Sequence, residues 1–220
     1  MIIATWNVER VAPFRRLPDI ENTCASLRAD ILVLTETDTR IKLPFRHCFS
    51  SAPLSRNEKE ASYRSTERRV AIYTNYDFVR YHDTYDDKTT VCCELATERG
   101  SLLVYGTIIG ILGKQDSTYH EHLTYQIEDY RRLSGKGAGL CVCGDFNCSF
   151  GDNYYFTAEE RNRMEDTFSE IGVSILTKNQ SECIDHIAIS SRFVGHSIPV
   201  IHEWNLDKTL SDHKGISVSF

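Results

Sequence analysis

The sequence predicts an α/β protein made of two packed mixed sheets with helices on the outside. Eight short runs rich in Val, Ile, Thr, Tyr or Cys recur along the 220 residues, as strands do. Only three stretches carry apolar residues at spacings near three and four, the mark of an amphipathic helix. Helices therefore do not follow every strand, which argues against a doubly wound parallel sheet. No repeat, low-complexity tract or linker breaks the chain. It reads as one domain over residues 1–220, long enough for a sizeable core.

The predicted strands are Ile2–Asn7, Ile31–Thr35, Val70–Thr74, Thr90–Leu95, Ser101–Ile108, Gly139–Gly144, Ile184–Ile189 and Gly215–Phe220. The first helix is expected over Leu17–Arg28, where Leu17, Ile20, Cys24 and Leu27 form a stripe. A second runs over Tyr119–Leu133 on Leu123, Ile127, Tyr130 and Leu133, and a third from about Ala158 to Ile171. Thr157 precedes Glu159 and Glu160 and fits an N-cap. Residues 40–68 have the weakest periodicity and hold Pro44, Pro53 and many charges, so an extended, functional loop region is expected there.

Composition narrows the class. Hydrophobic residues at 41% and charged residues at 25% suit a soluble globular protein. No apolar run is long enough to span a membrane. The start, Met1-Ile2-Ile3-Ala4-Thr5-Trp6, lacks the basic segment of a secretory signal, so a cytoplasmic monomer is expected. The eight cysteines then read as mainly buried free thiols. The net charge of −6 is uneven: residues 1–80 hold 13 Lys/Arg against 10 Asp/Glu. A positive rim on an acidic protein can steer a phosphate-bearing substrate. Arg64, Arg68 and Arg69, just before the third strand, are the candidate contacts to a phosphate backbone.

Five polar patterns interrupt the strands. Cys141-Val142-Cys143-Gly144-Asp145-Phe146-Asn147 runs from an apolar strand into a carboxylate and a carboxamide, groups suited to hold a water and a phosphate oxygen near a cation. In Thr5-Trp6-Asn7-Val8-Glu9, alternation puts Asn7 and Glu9 on one side, both with oxygen ligands for a hard cation. Ile31–Thr35 runs into Glu36, a carboxylate that is costly at the end of a buried strand unless paired, hydrated or on a metal. Asp185 and His186 open a strand and point to opposite faces. Asp185 is the candidate to orient an imidazole, which leaves His186 structural or one step removed. Asp212 and His213 stand side by side before the last strand. Each pattern alone is also an ordinary polar strand end.

In order, Trp-Asn-x-Glu, the strand-terminal Glu36, Gly-Asp-Phe-Asn, Ile-Asp-His and Ser-Asp-His resemble the endonuclease/exonuclease/phosphatase superfamily from Thr5 to Phe220. The resemblance implies a four-layer α-β-β-α sandwich with its site at one end of two facing sheets. It implies cleavage of phosphate esters with Mg²⁺, for which Mn²⁺ can substitute. By position it implies Glu36 as the principal metal carboxylate, with Asn7, Glu9 and Asp212 on or near the metal. Asp145 would align or deprotonate the attacking water, Asn147 would touch phosphate or water, and Asp185 with His213 would form the Asp–His pair. Tyr105 falls where many nucleases of the family place a phosphate-contacting Tyr or His. The segment after it, Gly106-Thr107-Ile108-Ile109-Gly110, lacks the Pro-Asn of several abasic-site enzymes, which puts that specificity in doubt.

The expectation is a metal-dependent phosphodiesterase with nucleic acid as substrate. One alternative is an enzyme acting on a smaller ester such as an inositol phosphate, a nucleotide or a phospholipid. The other is a non-catalytic binding relative. Residues 40–68 and 110–120 are expected to decide between substrates.

Overall fold

The computed structural model describes residues 1–54, 57–58, 61–110 and 118–220. Of the segments expected to set specificity, residues 55–56, 59–60 and 111–117 lie outside the described residues. In chain order the strands are β1 (Ile2–Asn7), β2 (Ile31–Asp38), β3 (His47–Ser50), β4 (Asn57–Glu58), β5 (Ala61–Ser62), β6 (Glu67–Thr74) and β7 (Asp77–His82). There follow β8 (Thr90–Thr97), β9 (Gly100–Ile108), β10 (Gly139–Asp145), β11 (Val173–Ile175), β12 (Asp185–Ser190), β13 (Val200–Trp204) and β14 (Gly215–Ser219). The helices are α1 (Leu17–Ser26), α2 (Tyr119–Ser134), α3 (Ala158–Glu170) and the single turn α4 (Ser191–Val194).

Two six-stranded sheets form, in the orders β13-β14-β1-β2-β6-β3 and β11-β12-β10-β9-β8-β7, and β4 pairs with β5 as a separate hairpin. Both six-stranded sheets are mixed. β1 runs parallel to β2, and β9 to β10, while the other pairs are antiparallel. All eight expected strands and all three expected helices are present. The strands missed are β3, β7, β11 and β13, which are the four sheet edges, and the hairpin. The region 40–68 thus carries β3, β4 and β5 rather than loop alone.

Strand alternation sorts the core into three layers. Ile3, Val33, Val70, Ile72, Val104, Cys141, Cys143 and Ile187 face inward between the sheets. Ala4, Trp6, Leu32 and Leu34 face the other way, onto Ile20 and Cys24 of α1. On the second sheet, Leu103, Tyr105, Leu140 and Val142 pack under Leu123, Ile127 and Tyr130 of α2 and Phe168 of α3. The Thr157 hydroxyl caps α3 by accepting from the Glu160 amide. All eight thiols are free, and all but Cys48 are buried. No helix among the described residues is long and apolar enough to cross a membrane.

The inter-sheet layer runs out at one end of the sandwich. Parallel pairing brings the carboxyl ends of β1 and β2 together, and antiparallel partners bring the amino ends of β6 and β14 to the same place. In the second sheet, β10 ends and β12 begins there, with Asp145 opposite Asp185.

Candidate active site

Past the last inward apolar residues, the same alternation delivers polar ones. Asn7 follows Ile3 and Thr5, Asp145 follows Cys141 and Cys143, and Asp185 precedes Ile187. Asp145 and Asp185 stand at a cleft of about 280 Å³ lined also by Glu36, Asn147, Asp212 and His213, with Tyr154, Tyr155, Glu182, Ile184, Lys208 and Lys214 around it.

Glu36 reaches this cleft by breaking the alternation. Leu32 and Leu34 face α1, so a regular strand would send Glu36 the same way. Its φ of +43° is left-handed, a conformation uncommon for a residue with a Cβ, and the carboxylate enters the cleft instead. Asn7 Nδ2 joins the two sheets' carboxylates, donating to Asp145 Oδ2 at 3.1 Å and, more weakly, to Glu36 Oε1 at 3.4 Å. Burial raises Glu36 above the usual carboxylate range, against the Asn7 hydrogen bond and the charge of His213.

Asp145 is 2% exposed. Its Oδ1 accepts from the Asn147 amide at 2.9 Å. Burial pushes its carboxyl up, to about 7, with His213 opposing and Asp185 adding to the rise. Asn147 is also left-handed, at φ +48°. Both protons of its amide nitrogen go to backbone carbonyls, those of Ile109 and Gly110, each at 3.1 Å. Its amide oxygen is therefore the atom left to accept from a water or a ligand in the cleft.

His213 Nδ1 meets Asp185 Oδ2 at 2.6 Å. Burial pulls the imidazole down, but the charge and hydrogen bond of Asp185, with Asp145 and Asp212 behind it, raise it to about 10. The ring is a cation at neutral pH, with Nε2 turned to Asp212 Oδ1 at 3.9 Å. The loop carrying His213 is latched from three sides. Trp6 Nε1 and Asn205 Nδ2 donate to the His213 carbonyl, at 3.0 and 2.6 Å, and the buried Ser211 hydroxyl bonds the Asn7 carbonyl at 2.6 Å. Asn205 and Ser211 carry no sequence signal for this role, since they act through turn geometry that periodicity does not encode.

The structure does not bring every candidate to the cleft. Glu9 lies beyond the end of β1, where Glu9, Arg10 and Val11 are all left-handed, so the alternation that would pair it with Asn7 has ended. Its carboxylate takes Arg16 at 3.1 Å instead. Tyr105 is fully buried on the helix-facing side of β9, its hydroxyl on Asp129 Oδ2 at 3.0 Å and its ring against Tyr130. A phosphate cannot reach it there. His186 is enclosed between Thr177 and the carbonyls of Cys148 and Cys183, and burial lowers it to about 4, so it is a neutral structural residue.

The three arginines are engaged within the protein. Arg64 holds the buried Glu67 carboxylate at 2.8 Å, and Arg68 donates to the carbonyls of Ser65 and Glu67. Arg69 is 3% exposed and bonds the Tyr63 hydroxyl at 3.1 Å, close enough to Glu36 for its charge to lower that carboxyl. None of the three lines the cleft. The lysines that do, Lys208 and Lys214, were not singled out in the sequence.

The oxygen-rich donor set suits a hard divalent cation. Asp145, Asp185 and His213 offer ligand atoms within 4.8 Å of one another. His213 Nδ1 is already engaged by Asp185 at 2.6 Å, so the argument for a cation rests on the oxygens. Among the described residues, Asp185 Oδ1 is buried with no hydrogen-bond partner, and the half-buried Glu36 carboxylate has only the long Asn7 hydrogen bond. A buried carboxylate left this way is costly, and a cation would complete it.

Residues 4–213 match the Endonuclease/Exonuclease/phosphatase family, and the chain belongs to it. Solved structures share the fold. A 3′ phosphatase, NExo, from Neisseria, bound to product DNA hairpin, has a TM-score of 0.71 at 18% identity, over 100% of this chain and 99% of that one. An AP endonuclease from Archaeoglobus fulgidus gives 0.71 at 15%, over 100% and 99%. The endonuclease domain of TRAS1, a telomere-specific non-LTR retrotransposon, gives 0.68 at 18%, over 99% and 96%. None of the curated proteins matches the chain.

Proposed function

We propose that this chain is a divalent-metal-dependent phosphodiesterase acting on nucleic acid. The observation that carries the reading is the convergence of Glu36, Asp145, Asn147, Asp185 and His213 in one cleft, with more buried carboxylate than His213 can balance. Membership of a phosphoesterase family and a fold shared with DNA-processing enzymes support it.

Glu36 and Asp212, with the unpartnered Asp185 Oδ1 as a further oxygen, would hold the cation, Mg²⁺ or Mn²⁺, which supplies charge neutralisation at the phosphate. The chain's own residues do the rest. Asp145, fixed by Asn7 and the Asn147 amide, orients a water and takes its proton, and a carboxyl near 7 is well matched to that task. Asn147 Oδ1 accepts a hydrogen bond from the water's other O–H. As the water oxygen bonds to phosphorus the ester P–O bond breaks, and the leaving oxygen takes up a proton from solvent. His213 Nε2 donates to a phosphate oxygen as charge builds, while Asp185 holds Nδ1 and keeps the ring charged. Asn7 keeps Glu36 and Asp145 in register and acts through them. Glu9, Tyr105, Arg64 and Arg68 have no part in this scheme, and Arg69 contributes only its charge near Glu36.

The test is a panel of single- and double-stranded DNA, abasic DNA, RNA, an inositol polyphosphate and a generic phosphodiester, incubated with Mg²⁺ or Mn²⁺. Polynucleotide cleavage lost on chelation and in Asp145→Asn is the expected result. Turnover of the small esters alone would overturn the nucleic-acid reading. Activity that persists in chelator would overturn the metal dependence.

A further inference from the structure

The floor of the cleft is acidic, but its mouth is not. Two cations near the floor are already paired: His213 with Asp185, and Lys214 with Glu203 at 2.5 Å and with the Ser181 carbonyl. Lys208 has no carboxylate partner among the described residues. Its ammonium contacts the Tyr154 hydroxyl at 3.2 Å and stands 5.2 Å from the centre of that ring. Tyr154 is 49% exposed, although it lines the same cleft as the reacting groups.

The pair comes from opposite walls, and each partner is fixed by its own turn. Tyr154 follows β10 of the second sheet. Its amide donates to Asp152 Oδ1 at 3.0 Å, and Asp152 Oδ2 accepts from the Glu182 amide at 2.6 Å, so one carboxylate ties together two loops of the cleft. Lys208 follows β13 of the first sheet. It is left-handed, at φ +55°, and its amide bonds the Asn205 carbonyl at 3.0 Å. Asn205 also holds the His213 carbonyl, so the Lys208 turn and the His213 loop share one anchor.

An ammonium without a carboxylate partner, set over a half-exposed aromatic ring, is chemistry for a phosphate next to a flat base. We propose that Tyr154 and Lys208 form a subsite for the nucleotide adjoining the scissile phosphate, with its base stacked on the Tyr154 ring and its phosphate paired to Lys208. The subsite rests on the nucleic-acid reading above. It gives the cleft a contact outside the reacting centre, on the only cation of its lining, among the described residues, that is free of a carboxylate. Stacking is tolerant of base identity, so the subsite selects for a strand rather than for a sequence.

The test measures binding of labelled single-stranded DNA and RNA 12-mers to the Asp145→Asn protein in Mg²⁺, across a range of salt. In that background Tyr154→Leu is expected to weaken binding roughly 5- to 100-fold with the salt slope unchanged, and Tyr154→Phe to keep most of the affinity. Lys208→Gln is expected to weaken binding and to lower the slope of log K against log salt by about 0.7, the loss of one phosphate contact on a single strand. Lys208→Arg should restore that slope. The DNA and RNA arms decide which strand is preferred. Affinities and slopes of Tyr154→Leu and Lys208→Gln that match the parent would overturn the subsite while leaving the nuclease reading intact. Hydrolysis of a small diester by wild type with no binding of either strand would overturn it together with the nucleic-acid reading, leaving the phosphoesterase. No hydrolysis and no binding would overturn all three.

Discussion

Replacing Asp185 with Asn tests the Asp–His pair most directly. The substitution keeps size and shape but removes the charge 2.6 Å from His213 Nδ1. Burial alone would hold His213 below the ordinary 6.5, and Asp185 is the first cause that lifts it to about 10. In metal-free protein the His213 ring, followed by NMR, is therefore expected to titrate near 10 in wild type and well below that in Asp185→Asn. At pH 7.5 the wild-type ring is charged, whereas a much smaller share of the variant's rings would be. With the donor mostly neutral and its tautomer no longer fixed, turnover should fall roughly 10²- to 10⁴-fold. Stability follows with a definite sign. A folded value above the unfolded one stabilises fully below about 6.5, and the gain is lost as pH rises through about 10. The variant should be less stable than wild type by roughly 2–4 kcal/mol at pH 6–7, with the gap closing toward pH 10. A variant whose His213 still titrates near 10, or whose turnover at pH 7.5 stays within tenfold of wild type, would refute the reasoning.

Three further substitutions separate site from scaffold. Gly144→Ala places a Cβ 2.0 Å from the Thr107 carbonyl oxygen at a φ of +143°, so chemical denaturation should show a loss of roughly 2–4 kcal/mol. Tyr105→Phe removes the hydroxyl from Asp129, which keeps the Tyr85 amide and Arg132. It should cost about 1–2 kcal/mol in urea melts and leave kcat per folded molecule unchanged, whereas a large loss of kcat would return Tyr105 to the chemistry. Glu67→Gln breaks the contacts of a buried carboxylate with Arg10 and Arg64. Burial works against its charge, but these partners hold it below the usual range. The expected loss, about 1–3 kcal/mol above pH 4.5, should shrink as pH falls, and a gap that grows toward acid would contradict the sign.

The fold was legible where the sequence is forced to be apolar. Central strands are buried on both faces, as in β10, where all seven residues are buried, and such runs stand out in any reading. The four edge strands escaped notice because an edge need satisfy only one neighbour. β7 is exposed along nearly its whole length, β13 alternates weakly, and β11 has three residues. The region 40–68 looked like loop for the same reason, since β3 is an edge of four residues.

The side chains that meet at the cleft were legible by a different logic, and the candidates that lie elsewhere are informative. Asp145, Asp185 and Asn7 obey strand alternation, so period two alone places them in the cleft. Glu9 and Tyr105 also follow from chain geometry once the geometry is known. Three left-handed residues end the alternation before Glu9 can benefit from it, and parity puts Tyr105 with Leu103 on the helix side of β9. Glu36 and Asn147 are the reverse case. Periodicity would have misplaced Glu36, and it enters the cleft only because the backbone takes a conformation that its side chain resists. Such conformations persist where the surroundings over-determine them. Here those surroundings are visible: the Asn7 amide on Glu36, and the Ile109 and Gly110 carbonyls on Asn147. Both left-handed residues carry polar groups aimed at one small volume, and regular strands could not have put them there. The strain and the chemistry therefore share a cause, since a carboxylate in that volume is useful to a bound cation and costly without one.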